Sequence, residues 1–157
     1  MKLKDKLKSF TEQKRGLLAT NYYNMETLHG VLKAAADLDQ PIILQLTASS
    51  IDYMGIETAV KLGRAGLKQY GVEGWIHLDH GGSIELVQLC LDEGFDSVMI
   101  DASELSFADN VKMTSKVVKI AERYNAHVEA ELGFVAKLGQ NYLGNGFTQP
   151  NEAQIFV

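Results

Sequence analysis

Polar side chains follow several apolar runs of this sequence at the point where each run ends. They are Asn21, Gln45 with Thr47, Asp79 with His80, Asp101 with Ser103, and Glu129 with Glu131. Packing alone does not favour such endings, because an unpaired carboxylate is costly to bury. In parallel α/β folds the carboxyl ends of the strands form the face that binds ligands. The pattern therefore predicts a functional site built from the ends of neighbouring strands.

The densest group of these residues is the run HLDHGG at residues 77–82. Side chains alternate along a strand, so His77 and Asp79 should share one face while His80 leaves from the turn. An aspartate beside a histidine, next to glycines, can supply a metal ligand together with a neighbouring acid or base. The alternative is a histidine pair that caps a turn through hydrogen bonds to the backbone.

Two further carboxylate positions allow a functional and a structural interpretation. Asp101 ends an apolar strand, where an Asx turn is as good an explanation as a ligand. Glu129 and Glu131 lie two residues apart on a predicted strand, so their charges face the same side and repel. A shared divalent metal or a basic side chain would relieve that repulsion, and an ordinary salt bridge is the structural alternative.

Strands alternating with helices must position these residues. The apolar patterns predict strands at residues 17–23, 41–47, 74–79, 97–101 and 127–132. Helices are predicted at residues 3–13, 24–38, 55–70, 83–93 and 111–124, the last capped by Asp109, and a short helical segment starts at Pro150. Gly63 and Gly66 each cost a helix about 1 kcal/mol, which weakens the case for one continuous helix over residues 55–70.

Strands alternating with helices predict an α/β fold with a parallel sheet. A complete (β/α)8 barrel takes about 250 residues. The 157 residues of this chain therefore suit one small open-sheet domain or a little over half of a barrel. The stretch from residue 133 to 148 is polar and glycine-rich and shows no clear periodicity.

Composition excludes several classes of function. The net charge is −5, so the basic balance of a nucleic-acid-binding domain is missing. No run of about 20 apolar residues predicts a membrane span, and the basic start lacks the apolar segment of a signal peptide. The single cysteine, Cys90, cannot form an internal disulfide, which favours a reducing, cytoplasmic setting.

Three motifs in order, HLDHG, SVMIDAS and VEAELG, resemble the N-terminal part of the class II, zinc-dependent ketose-bisphosphate aldolases. The similar region runs over about residues 17–133, and fructose- and tagatose-bisphosphate aldolases belong to this family. The resemblance implies a (β/α)8 TIM barrel, of which residues 1–157 hold about the first five βα units as part of a single domain. It also implies a phosphorylated ketose substrate, zinc with a possible second divalent or monovalent cation, and a homo-oligomer.

The resemblance further assigns roles to six residues. They are the catalytic acid/base Asp79, the zinc ligand His80, the auxiliary or second metal positions Asp101 and Glu131, and the substrate contacts Asn21 and Thr47. The implied reaction is reversible aldol cleavage of the ketose to dihydroxyacetone phosphate and an aldehyde. Zinc would act as a Lewis acid on the ketone.

The sequence departs from the family pattern in two places. Residues 134–148 carry no carboxylate where the family has an acidic loop that assists proton transfer, so a related sugar phosphate stays open as the substrate. The family's other two zinc histidines and its phosphate loops have no counterpart before Val157. We therefore expect the 157-residue chain alone to be inactive as an aldolase.

Two non-enzymatic interpretations stand beside the aldolase. Five strands in a partial barrel leave open sheet edges, which would allow self-association or binding of a partner chain. An open-sheet domain that binds a phosphorylated ligand would need an anion site at a helix N-terminus, and residues 81–83 are the candidate.

Overall fold

Parallel strands separated by helices make up the part of the chain that the computed structural model describes, residues 1–133 and 147–156. The strands are β1 (Leu18–Asn21), β2 (Ile42–Thr47), β3 (Gly74–Gly81), β4 (Ser97–Ile100) and β5 (His127–Ala130). The helices are α1 (Leu3–Glu12), α2 (Met25–Asp37), α3 (Ala48–Met54), α4 (Ile56–Tyr70), α5 (Ile84–Asp92), α6 (Phe107–Ala121) and α7 (Pro150–Phe156), with a 3-10 turn at Glu122–Tyr124.

The five strands form one sheet in the order β1-β2-β3-β4-β5, and every neighbouring pair is parallel. A doubly wound sheet reverses its strand order at a switch point. This sheet does not, so each βα unit continues in the same direction, as in the wall of a barrel. The predicted α/β fold with five parallel strands is confirmed.

The two faces of the sheet bury different partners. On one face, alternate residues such as Leu44 and Leu78 pack into the main core with the helices. We call the opposite face the inner face. At the amino end of the strands it is covered by α1, where Leu3 packs with Ile43 and Trp75. The indole N–H of Trp75 donates to the Met1 carbonyl oxygen at 3.1 Å, which ties down the start of the chain.

Helix α4 is continuous through both of its interior glycines, so the predicted helix over residues 55–70 is confirmed even though those glycines weakened the case for its continuity. The reason is close packing. A Cβ at Gly63 would lie 2.7 Å from the Tyr22 hydroxyl oxygen, and one at Gly66 would lie 2.6 Å from a Leu32 methyl carbon. Glycine therefore lets α4 approach β1 and α2, and the loss of helix propensity is offset by the burial this permits.

The helix predictions need correction in two places. Helix α3 was not predicted, and it begins directly after β2 with Thr47 as its N-cap. Helix α6 begins at Phe107 with Ser106, not Asp109, as its N-cap, because the Ser106 hydroxyl accepts from the Asp109 N–H at 3.2 Å. Asp109 lies in the first turn, where its charge favours the helix dipole.

Most of the predicted glycine-rich stretch, residues 134–146, lies outside the described residues. Across residues 1–133 and 147–156, no helix has both the length and the apolar character that crossing a bilayer requires.

Candidate metal and catalytic site

The register of the sheet aligns one polar residue from each strand in a single row. The members of this inner row are Asn21, Gln45, His77, Ser97 and His127, each paired in register with the next. The inner faces of such barrels are usually filled by bulky apolar side chains. The polar row across all five strands therefore indicates that the inner face has a functional role in addition to packing.

The Asp79 carboxylate is held at the end of β3 by two side-chain amides. Asn21 donates its Nδ2–H to Oδ2 of Asp79 at 2.8 Å. Gln45 Nε2 lies 3.5 Å from Oδ1, at the outer limit of a hydrogen bond. Amides at both oxygens fix the orientation of the carboxylate. The site thus presents an oriented carboxylate, the group that the sequence-based role of Asp79 requires.

His80 reaches the same region through an irregularity in β3. Strand β3 continues to Gly81 rather than turning after Asp79, and its register with β4 shifts between Leu78 and Gly81. The φ of His80 is +50°, an uncommon value for a residue other than glycine. The prediction that His80 leaves from a turn is therefore wrong, since His80 lies within β3. The shifted backbone places His80 beside Asp101, the residue after β4.

His80, Asp101 and Glu131 form the group that could hold a metal, which we call the triad. Their potential ligand atoms all lie within 4.8 Å of one another. Nδ1 of His80 is 2.8 Å from Oδ2 of Asp101 and 3.9 Å from Oε2 of Glu131. The structure thus brings together the three residues that the sequence proposed as metal positions. Nε2 of His80 is 4.0 Å from Oδ1 of Asp79, which places the proposed acid/base next to the triad.

Hydrogen bonds shift the pKa values of His80 and Asp101. The hydrogen bond to Asp101 raises the pKa of His80 despite partial burial. Burial of Asp101 opposes its ionisation, but hydrogen bonds from Ser103 and His80 outweigh it and lower the pKa of that carboxyl. Ser103 donates its N–H and Oγ–H to Oδ1 of Asp101 at 3.1 and 2.7 Å, which is the Asx turn that the sequence allowed. The Asx turn uses Oδ1 of Asp101, whereas the contact with His80 uses Oδ2. Asp101 can therefore form the turn and also serve as a ligand.

Glu131 is positioned by a residue that the sequence analysis missed. Asn110 lies buried on α6 and donates Nδ2–H to the backbone carbonyl of Glu131 at 2.8 Å. Thr114, one turn later, donates to Oδ1 of Asn110 at 3.2 Å. An asparagine on the apolar stripe of α6, seven residues before the buried Val117, was the available signal.

Glu129 on β5 and Glu131, the first residue after that strand, have separate partners. Glu131 joins the triad, whereas Oε2 of Glu129 lies 3.6 Å from Nε2 of His77. Burial, followed by the charge of Asp79, raises the pKa of Glu129. The side chains of the two glutamates therefore lie beside different histidines, although the charge of Glu131 still contributes to the raised pKa of Glu129.

Thr47 is the site residue that the structure places in a different role. Its hydroxyl accepts from the Ser50 N–H at 3.2 Å and caps α3, and it also contacts the Ser49 and Ser50 hydroxyls. Thr47 pairs in register with Asp79, so it lies at the correct edge of the sheet. Contact with a substrate stays a prediction for Thr47 and for Asn21.

The donor set of the triad fits a divalent transition metal. One imidazole nitrogen and two carboxylate oxygens are ligands that zinc accepts. Comparison with known proteins then decides the family. A family model described as class II fructose-bisphosphate aldolase matches residues 1–157.

The chain belongs to the class II fructose-bisphosphate aldolase family.

Fructose-bisphosphate aldolases from distant organisms are similar to this chain in sequence. A fructose-bisphosphate aldolase of Giardia intestinalis is 37% identical over 157 residues, which cover 99% of this chain and 49% of the relative. The Geobacillus stearothermophilus fructose-bisphosphate aldolase is 37% identical over 142 residues, or 87% of this chain and 50% of the relative. The chain thus spans about half the length of the curated relatives it matches.

Solved aldolase structures share the fold. The YdjI aldolase from Escherichia coli K12 superposes with a TM-score of 0.84 at 25% identity, over 99% of this chain and 56% of that one. A fructose-bisphosphate aldolase from Campylobacter jejuni, at 19% identity and a TM-score of 0.72, supports the fold alone. The expectation of a class II aldolase half-barrel, of the TIM-barrel type, is confirmed.

Proposed function

We propose that this chain contributes to an enzyme that cleaves a phosphorylated ketose reversibly to dihydroxyacetone phosphate and an aldehyde. Fructose bisphosphate, tagatose bisphosphate or a related sugar phosphate would be the substrate. The single observation that carries the proposal is the oriented Asp79 carboxylate beside the triad. The family of the chain supports it as well. We further expect a cytoplasmic homo-oligomer.

In this proposal the chain's own residues handle the proton and position the substrate. Zinc held by His80, with Asp101 and Glu131 as auxiliary or second-cation positions, would polarise the substrate carbonyl as a Lewis acid. During cleavage, Asp79 accepts the proton of the hydroxyl on the carbon that leaves as the aldehyde. In the reverse direction Asp79 returns that proton. Asn21 donates to Oδ2 of Asp79 and so keeps the carboxylate oriented for this proton transfer.

The 157-residue chain alone is expected to be inactive. The triad contains one histidine; among the described residues, His29 contacts Tyr70 and His77 contacts Ser97, and His127 is not part of the triad. The two further zinc histidines that the resemblance implies are therefore not supplied by this triad. We expect activity from the protein that contains the complete barrel.

Replacement of Asp79 tests the acid/base role. In the complete enzyme, Asp79→Asn should keep the metal content and lower the rate of ketose-bisphosphate cleavage by about 100-fold or more, because proton transfer by a positioned side chain contributes that much. Asp37→Asn removes an exposed carboxylate on α2 and is the matched control. Normal cleavage by the Asp79 variant would contradict the assignment.

Replacement of His80 tests the metal role separately. His80→Ala should reduce bound zinc, measured by elemental analysis after dialysis, because it removes the nitrogen ligand of the triad. Zinc that stays at the wild-type stoichiometry would show that the triad is not the metal site, whatever the variant's activity.

A second candidate function is a partial-barrel module that binds another chain or a second copy. In the described part of the chain, β1 pairs with β2 only and β5 with β4 only, so each has an unpaired edge. Leu18 on β1 is 65% exposed. Light scattering of the 157-residue chain tests this function. A stable dimer of this chain, together with no cleavage by the complete protein, favours the module, and a monomer excludes self-association.

A further inference from the structure

His77 occupies the centre of the inner row and is almost completely buried. Its side chain is 2% exposed. Nδ1 lies 2.8 Å from the Ser97 hydroxyl oxygen, one strand away. The proposed mechanism leaves this histidine without a role, although it is only two residues before Asp79.

The second ring nitrogen of His77 has no hydrogen-bond partner among the described residues. Nε2 is a buried atom, and such a group is costly to leave unpaired. The nearest charged group is Glu129, whose Oε2 is 3.6 Å away. That separation is slightly beyond a hydrogen bond, and the half-exposed Glu129 side chain has the freedom to close it.

The protonation of the ring follows from its surroundings. Burial lowers the pKa of His77 to about 4, so the ring is neutral near pH 7. A neutral imidazole has one N–H donor and one acceptor nitrogen. If the Ser97 hydroxyl donates to Nδ1, the ring proton must be on Nε2, where it points towards a carboxylate. Ser97 is itself buried, which keeps water from competing for Nδ1.

We propose that His77 is a positioning residue that donates Nε2–H to Glu129 and holds that carboxylate away from the triad. Glu129 lies on β5 and Glu131 directly follows that strand, and Glu129 lies within electrostatic range of Asp79, His80 and Glu131. Without this tether, Glu129 is free to swing towards the triad and compete with Glu131 for a metal. His77 thereby selects which glutamate serves as a ligand. The consequence for catalysis rests on the proposed function, whereas the tether itself does not.

Amide replacements separate the two nitrogens of His77. In His77→Gln the amide nitrogen takes the place of Nε2, so the donor to Glu129 is kept. In His77→Asn the amide reaches only the Nδ1 position, so the contact with Ser97 is kept and the tether is lost. In the complete enzyme, we expect the Gln variant to keep kcat for ketose-bisphosphate cleavage within a few-fold of wild type. The Asn variant should lose at least tenfold in kcat, with KM little changed. Equal activity in the two variants would overturn the proposal.

A double variant tests whether the loss comes from Glu129. Glu129→Gln added to His77→Asn replaces the released carboxylate with a weak ligand, so kcat should recover at least severalfold. Thermal unfolding of each variant shows that the comparison is made on folded protein. A double variant no better than His77→Asn would mean that Glu129 is not the group being held.

The tautomer can be measured without metal, substrate or activity. Two-bond ¹H–¹⁵N spectra of the metal-free protein should show a protonated Nε2 and a bare Nδ1 for His77. A protonated Nδ1 with a bare Nε2 would refute the tether even if the enzyme is an aldolase. Conversely, the expected tautomer, together with a complete enzyme that cleaves no ketose bisphosphate, would support the tether and count against the proposed function alone.

Discussion

The buried His77 should make the stability of the protein depend on acid pH. Burial lowers its pKa from 6.5 to about 4 in the folded state. Between these values the unfolded chain binds a proton at His77 and the folded protein does not, so the free energy of unfolding falls as the pH decreases. At about 1.4 kcal/mol per pH unit, the decrease contributed by this ring is about 3 kcal/mol between pH 6.5 and pH 4. Above pH 6.5 the contribution of His77 is complete and constant.

Urea denaturation at closely spaced pH values measures this dependence. The charges that act on the ring are Asp79, which raises its pKa, and His127 and His80, which lower it; Glu129 on β5 faces Nε2. The raised pKa of Glu129 has the opposite effect on stability, so the comparison must be with His77→Gln, which removes only the ring's titration. The wild-type curve should fall more steeply than that of the variant below pH 6.5. Parallel curves would refute the burial argument.

Three other outcomes follow from local packing and hydrogen bonds. Gly63→Ala should lower the free energy of unfolding by about 1–3 kcal/mol, because its Cβ would lie 2.7 Å from a buried hydroxyl oxygen. Gly30→Ala on α2 is the control, since a Cβ there meets nothing within 4 Å and the change should be neutral or stabilising. Urea denaturation measures both variants. Ser106→Ala should lower the free energy of unfolding by about 1 kcal/mol, because it removes an N-cap, and Asp109→Ala should lower it by less. Thermal unfolding measures both variants, and a larger loss for Asp109→Ala would contradict this ranking. Asn21→Ala should reduce kcat of the complete enzyme by about 10-fold while its zinc content stays unchanged, since the amide orients the acid/base carboxylate without contacting the triad; loss of zinc would contradict that role.

The sequence predicted the sheet well because its signals are local. Each buried strand is a short apolar run that ends in polar residues, and each helix between them has its own cap or glycine stop. The start of α6 was wrong because Ser106 and Asp109 are both good N-caps, three residues apart, and propensity does not say which side chain accepts. In the structure the serine oxygen accepts from the aspartate N–H, so the helix begins three residues earlier than a cap at Asp109 would place it.

The interior contacts of the site could not be predicted in the same way. Whether Asn21 donates to Asp79 depends on the register of β1, β2 and β3, which joins residues 58 positions apart. The buried Asn110 depends likewise on how α6 lies against the end of β5. Patterns of residue type locate strand ends but do not fix such long-range contacts. They indicated a set of polar strand ends, the family resemblance selected His80, Asp101 and Glu131 from that set, and the sheet register supplied their geometry.

The irregularity in β3 explains how two adjacent residues serve one site. In a regular strand Asp79 and His80 would point to opposite faces, and only one of them could reach the inner face. The register shift between Leu78 and Gly81 and the positive φ of His80 remove that constraint. Gly81 is required for it, because a Cβ there would lie 2.6 Å from the Met99 carbonyl oxygen of β4. The short motif HLDHG therefore combines a carboxylate fixed by the neighbouring strands, a histidine turned towards Asp101, and the glycine that permits both.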